Sequence, residues 1–394
     1  MNSFQELSWD EAHSRAWGAV TGQVVTETIS LSKAVERILA VDCPALCDLP
    51  RYTTSAMDGW VVAGDGPWQI VGDIKAGAPF EGNLESGQTL RIATGAVIPK
   101  GAHSVVRWEI AEEKNGSIFA NPQSEGTDIR PSGDECREGD VLARKGQLLT
   151  PSVIGLLAAT GYDELLVARR PRVALLLLGD ELQLTGIPSK GLVRDSLGPQ
   201  LPAWLSRLGA EVISQNYVTD ELDSVIAAIQ KIEPCDLIIT TGGTADGPRD
   251  HVHGALAGLK AEFIVDRVRS RPGHPALLAS LPTHSDTHSG RLFLGLPGNP
   301  QSAVVGLMTL GAPIIATMLG KTPAPLQLIE TLNDLSAPPD FTRLILGNIT
   351  ATQFSMGEHL GSAMLRGLAS STGFALAPSG ETKAGARVRW LPLP

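Results

Sequence analysis

Residues 236–250 read DLIITTGGTADGPRD. The apolar and β-branched run LIITT is too short for a helix and lacks helical spacing, so it reads as a buried strand. A double glycine follows it directly. Gly242 and Gly243 let bare backbone approach an anion, and Thr241 and Thr244 add hydroxyl donors. A helix expected from about Asp250 would present free N–H groups at its start. A tight strand-to-helix turn is the alternative reading of GG alone; the surrounding TGGT and GPRD favour phosphate binding.

The neighbouring segments have the same rhythm. Residues 172–178, RVALLLL, form a continuous apolar run of the kind found in strands covered on both faces. They end in GDEL, where Asp180 and Glu181 could accept hydrogen bonds from a heterocycle's amino groups or hold a divalent cation; a solvated pair at a helix start is the alternative. A helix over 199–208 closed by Gly209, a strand over 211–216 and a helix capped by Asp220 and broken by Pro234 follow. Residues 291–296, RLFLGL, give a further strand running into GLPGNP. There Pro297, Gly298, Asn299 and Pro300 form a rigid turn, with Asn299 as cap and Pro300 in the first turn of a long apolar helix. This alternation predicts a doubly wound, mostly parallel sheet that binds ligands at the carboxyl ends of its strands.

Away from this core the texture changes. Ser8 and Glu11 form a capping box for a helix to about residue 20, followed by a strand near 28–31 and a helix near 33–40. Residues 43–139 are short apolar pieces divided by Gly, Pro and Asn turns, the pattern of a β-rich domain. Thr150 and Pro151 open another helix, closed by Gly161. Residues 321–340 are proline-rich and read as a linker, and the last 55 or so residues as a small β domain. Three polar turns in the β-rich part, at Asp58, at Thr94 and at Glu109, read equally well as ordinary loops.

The 394 residues include 42 acidic and 32 basic side chains, a net charge of −10. With no basic stripe, this balance argues against nucleic-acid binding. The four cysteines form no CxxC pair and read as reduced cytosolic thiols. The polar, acidic start has no signal-peptide layout. The uncharged stretch 302–320 approaches the length of a membrane span, but Gly306, Gly311 and Pro313 interrupt it and no basic or aromatic belt flanks it; a helix buried in an α/β core is the expectation. His284 and His288 have the spacing of a metal pair but no third ligand, so a solvated loop is expected.

Taken in order, SAMDGW, RIATGAVIPKGAHSVVRWE, IRPSGDE, LTPSVIGLLAATG, RPRVALLLLGDEL, DSLGPQLPAWLSRLGAEV, TTGGTADGPRD, RPGHP and FLGLPGNPQSA resemble the molybdopterin molybdenumtransferase family over nearly the whole chain. The resemblance implies a cytoplasmic homodimer of four-domain subunits: a helical domain from residues 1–42 and 140–170, an inserted β-rich domain (43–139), a molybdopterin-binding α/β domain (171–320) and a C-terminal β barrel (321–394). It implies insertion of molybdate into adenylylated molybdopterin with release of AMP, assisted by Mg²⁺. Catalytic positions would be Asp58, Thr94, Glu109, Asp134, Glu135, Glu181 and Asp250, with Asp58 and Thr94 facing the α/β pocket of the other subunit. Substrate-binding positions would be Asp180, Asp195, Ser196, Thr241, Gly242, Gly243, Thr244, Arg271, His274, Pro297, Gly298, Asn299 and Pro300, with Asp250 and Asp180 as Mg²⁺ ligands. Contacts with a molybdopterin adenylyltransferase and with molybdoenzyme maturation factors would follow; nucleic acid and membrane would not.

Several positions depart from the family pattern. Arg271 and His274 stand where it has lysines, Gly133-Asp134-Glu135 reverses a GED order, and Leu178 and Leu197 replace a threonine and an asparagine. The TGGTADGPRD turn resembles that of molybdopterin adenylyltransferases. Two alternatives follow: a diverged molybdopterin-binding paralogue without insertion activity, or an adenylyltransferase-like enzyme.

Overall fold

A computed structural model describes residues 6–245, 247, 250–282 and 291–394. Asp246, with Pro248 and Arg249 of the GPRD turn, and the histidine pair at 284 and 288, lie outside the described residues. The chain divides into two compact bodies, one of residues up to Glu27 with Ala168–Pro394, the other Thr28–Val167.

In the first body RVALLLL forms the strand Arg172–Leu178, next to the edge of a six-stranded sheet. Glu211–Val218 and Leu237–Thr241 flank it in parallel, and Leu292–Leu296 lies parallel beyond the latter. Leu277–Ser280 and Glu262–Asp266 complete the sheet antiparallel. The sheet is therefore mixed, with a parallel half that carries the sequence motifs. Its strands need no alternation because both faces are covered: Ala174, Leu176, Ile238 and Phe293 pack with Val225, Ile229, Val252 and Leu256 of the helices in one buried cluster.

Helix ends follow their local chemistry with instructive exceptions. Ser8 and Glu11 make the reciprocal capping box on the helix Trp9–Gly18, and Gly209 closes Leu197–Leu208 in the left-handed conformation. Asp220 is not the cap of its helix. Glu221 holds that position on Leu222–Lys231, while Asp220 turns towards Asp180. Asn299 precedes Pro300 as expected, yet its amide makes no capping bond. The helix from Pro300 runs through a π-helical turn, Leu307–Gly311, to Met318. It is apolar enough in length and composition to cross a membrane, but it lies mostly buried in this body, the expected core helix.

The proline-rich stretch 321–340 is not a plain linker. It contains the strands Gln327–Thr331 and Leu335–Ala337, the first of which belongs to a closed five-stranded barrel. Around it run Thr342–Thr350, Gln353–Met356, Gln327–Thr331, Arg387–Pro392 and Gly373–Ala377, the last pairing back onto the first. The alternation of Gln327–Thr331, with only Ile329 and Thr331 buried, is weak beside the prolines that precede it. Closure removes the exposed edges that five short strands would otherwise present.

The second body has a six-stranded sheet including Gly59–Val62, Gln88–Ile92 and Ser104–Arg107. Residues 33–40 do not form the expected helix. A single 3₁₀ turn, Leu31–Lys33, gives way to extended chain whose Ile38 and Leu39 bridge to Leu148 and Val167. Glu36 at φ 63° marks the break. Pairing with a distant chain piece outweighs the modest helical preference of so short a stretch. The helix Pro151–Ala159 forms as its Thr150 cap and first-turn proline predict. The four cysteines are free thiols.

Candidate functional site

Register brings the three motif turns of the α/β body to one edge. Leu177 is level with Thr241, and Thr241 with Leu296, so GDEL, GGT and PGNP emerge side by side. The Gly242 N–H donates to the Leu296 carbonyl at 2.9 Å. Gly242 and Gly243 lie at φ 83° and 64°. A methyl on Gly242 would sit 3.1 Å from the Leu178 carbonyl oxygen, and one on Gly243 would be wedged between Leu178 and Val252. Glycine is required here on both counts, conformation and space.

Thr241 and Thr244 are only 3% and 2% exposed. This differs from their expected role as open hydroxyl donors: Thr241 is the last residue of a strand covered on both faces, and the turn offers backbone to a ligand instead. Asp250 organises the same turn. Its two oxygens accept N–H bonds from Ala245 at 3.2 Å and Gly247 at 2.6 Å. Asp195 is buried and committed to structure, accepting from the Leu197 and Gly198 amides and from the Tyr217 hydroxyl, so it caps the helix that Ser196 precedes. Burial and this carboxylate push the Tyr217 phenol above its ordinary value.

Asp180 has a partner that sequence reading assigned elsewhere. The Asp180 N–H donates to Asp220 and the Asp220 N–H to Asp180, both at 3.3 Å. Burial pushes the Asp220 carboxyl above its ordinary value; the bond from the Asp180 N–H opposes this, and the charges of Asp180 and Glu181 add to it. Among the described residues no cluster of three or more His, Cys, Asp or Glu is arranged to hold a metal. A Mg²⁺ bridging to substrate phosphates needs only one or two carboxylates, a number the adjacent Asp180 and Asp220 meet.

Beside the PGNP turn lies a cavity of about 350 Å³ lined by Arg271, His274, Pro297, Asn299, Arg343 and Ser362, among others. Arg271 ends the strand Val268–Arg271, which pairs in parallel with the barrel strand and sets Arg271 level with Arg343. Arg271 lies over the Phe341 ring, 5.0 Å from its centroid. His274 packs against the same ring and bonds to Glu6 at 3.0 Å. Arg343 also donates to the Ser336 carbonyl at 3.2 Å; the cavity lining holds two guanidinium groups and no carboxylate, a balance suited to an oxyanion. Arg343 and Ser362 were not legible as site residues, because they belong to barrel segments without any motif.

In the second body the structure brings Asp58 and Thr94 together. The Thr94 N–H and hydroxyl both donate to one Asp58 oxygen, at 2.7 and 3.1 Å. Gly59 is obligatory next to them, since a methyl would fall 2.2 Å from the Val106 carbonyl oxygen. Glu109 is exposed on a 3₁₀ turn whose Trp108 packs edge-on against Trp60. Asp134 and Glu135 are exposed on a loop tied down by backbone bonds to Leu49 and Pro50.

Both bodies have counterparts among known proteins. Residues 7–161 match the family profile described as "MoeA N-terminal region (domain I and II)", and residues 174–317 the one described as "Probable molybdopterin binding domain". The molybdopterin molybdenumtransferase of Staphylococcus aureus (strain COL) is 31% identical over 376 residues, 92% of this chain and 84% of that protein. A Staphylococcus epidermidis protein of the same name is 29% identical over 349 residues, covering 85% and 82%. A molybdopterin biosynthesis protein of Pyrococcus horikosii shares the fold, with a TM-score of 0.82 over 99% of this chain and all of that one, at 22% identity. The fold and its turn-lined edge thus define a multidomain α/β protein, and the sequence relatives place it in molybdopterin biosynthesis. The chain belongs to the molybdopterin molybdenumtransferase family, and it is a transferase of molybdenum cofactor biosynthesis.

Proposed function

We propose that this chain inserts molybdate into the dithiolene of adenylylated molybdopterin and releases AMP. The observation that carries this reading is the adjacency of a backbone anion turn, Gly242-Gly243, and a separate cationic cavity at Arg271 and Arg343, joined through the PGNP turn. The reaction needs both: one place for a pyrophosphate and another for a tetrahedral dianion. The adenylyltransferase alternative needs the first alone, and the relatives' names favour insertion.

In this reading the backbone of Gly242 and Gly243 receives the pyrophosphate, and Asp250 keeps the turn in shape. Asp180 and Asp220 would hold Mg²⁺, which offsets phosphate charge when bound. Arg271 and Arg343 hold molybdate, with His274 beside them in the same cavity. Arginine suits this task because its planar fork donates two hydrogen bonds to one oxyanion. Asp58, Thr94, Glu109, Asp134 and Glu135 serve the same reaction, Asp58 and Thr94 from the other subunit of a homodimer. Separate buried clusters support distinct cores within each body, one of them joining Ala34, Leu39 and Cys43 to Leu149, Leu157 and Leu165, while the helix Trp9–Gly18 packs with the α/β body. The cysteine chemistry and charge balance suit a cytoplasmic enzyme working beside the adenylylating enzyme and maturation factors.

The test supplies purified protein with adenylylated molybdopterin, molybdate and Mg²⁺, or with unmodified molybdopterin and ATP. Insertion predicts AMP and active cofactor in the first mixture and no ATP consumption in the second. The reverse result would establish adenylylation, and tight pterin binding with neither activity would establish a non-catalytic paralogue.

A further inference from the structure

Gln301 lies in PGNPQSA, one residue beyond the PGNP turn, and is 1% exposed. A buried primary amide must find partners, and here they lie in the barrel. With its nitrogen facing the barrel, the side-chain amide donates to the carbonyls of Leu360 at 2.9 Å and Gly361 at 3.0 Å. The Gln301 main-chain N–H donates to the carbonyl of Ser362 at 3.0 Å. One residue therefore holds three consecutive carbonyls of one barrel loop.

That loop is a wall of the cationic cavity: Leu360 and Ser362 line it together with Arg343. The Asn299 side-chain amide reaches across to the Ser362 hydroxyl at 3.3 Å. The clip at Gln301 and the bridge at Asn299 thus fix the separation between the barrel wall and the PGNP wall. Removing the amide leaves two carbonyls without their partners and frees the loop to shift. A shift of the wall alters the distance between oxyanion donors, on which anion affinity depends steeply.

We infer that Gln301 is a positioning residue, which sets the molybdate affinity of the cavity by holding the loop 360–362 in place. This rests on the reading of the cavity as the molybdate site. It predicts an effect confined to one substrate, because the clip touches neither the Gly242-Gly243 turn nor the acids beside it.

The test is Gln301→Met, which keeps length and apolar bulk and removes the amide. The KM for molybdate should rise about tenfold, as expected for the loss of one to two hydrogen bonds. The KM for adenylylated molybdopterin and kcat at saturating molybdate should stay near the native values. Equilibrium binding of molybdate alone should weaken by the same factor. Combined with Ser362→Ala the losses should be non-additive, since both act through one loop. Gln301→Asn, one methylene too short, should move the molybdate KM in the same direction by less, and it serves if the methionine variant does not fold. An unchanged molybdate KM beside normal native turnover overturns the inference while the insertion reading stands. Equal losses in both KM values and kcat assign Gln301 a purely structural role and overturn it as well. Native protein that neither binds molybdate nor turns over removes the insertion reading and this inference together.

Discussion

Gly242 shows how far a single position constrains this site. At φ 83°, with the Leu178 carbonyl 3.1 Å from where a methyl would go, alanine has neither the conformation nor the room. Gly242→Ala should destabilise the protein by about 1–3 kcal/mol, read by denaturant unfolding. Its effect on pyrophosphate binding should exceed that of Thr244→Ser, because Thr244 is buried away from the ligand face. Arg343 makes the complementary point. Arg343→Ala should raise the molybdate concentration for half-maximal AMP release by roughly 10- to 100-fold, the range for a charge-assisted hydrogen bond; a change below twofold would remove it from the site. The glycines were legible in the sequence, because Gly-Gly at a strand end has a local physical meaning. Arg343 was not, because its role comes from register with Arg271 across two strands that the sequence gives no reason to pair.

At the scale of elements, strand ends were read correctly and short irregular segments were not. Continuous apolar runs such as RVALLLL state their own burial. The stretches 33–40 and 321–340 are instead decided by distant partners, and their composition says little about them. Asp220 belongs to this second kind, as the nominal cap that became the neighbour of Asp180. Its raised pKa means that the stability it contributes is present below the ordinary aspartate value, about 4, and is lost as pH rises through the raised folded value. Asp220→Asn should therefore raise the thermal midpoint at neutral pH and lower Mg²⁺-dependent activity, an exchange of stability for function. A lower midpoint at neutral pH would contradict the proposed strain. Asp128 has the opposite sign. Its bond to Arg107 holds its carboxyl below the ordinary range, so that contribution is present above the unfolded value and lost as pH falls through the lowered one. Arg107→Met should flatten the acid limb of a thermal-midpoint titration in that range.

At the scale of the molecule, the proposed homodimer is tested by size and by subunit exchange. The 41.5 kDa protein should then elute at about twice that mass. Asp58→Asn and Arg343→Ala, assayed at a molybdate concentration where each shows little activity alone, should recover activity when subunits are exchanged. Random exchange gives half heterodimers with one intact site each, about a quarter of native activity. No recovery, with exchange demonstrated, would place the whole site within one chain. Family membership and fold were legible because nine motifs keep one order along the chain; subunit arrangement was not, because no local pattern encodes it. The most direct measurement for the central claim is AMP release from adenylylated molybdopterin, followed in the presence of Mg²⁺ with and without molybdate. The account predicts release that depends on molybdate and yields cofactor able to activate an apo-molybdoenzyme. Substrate binding with no molybdate-dependent AMP release would contradict it.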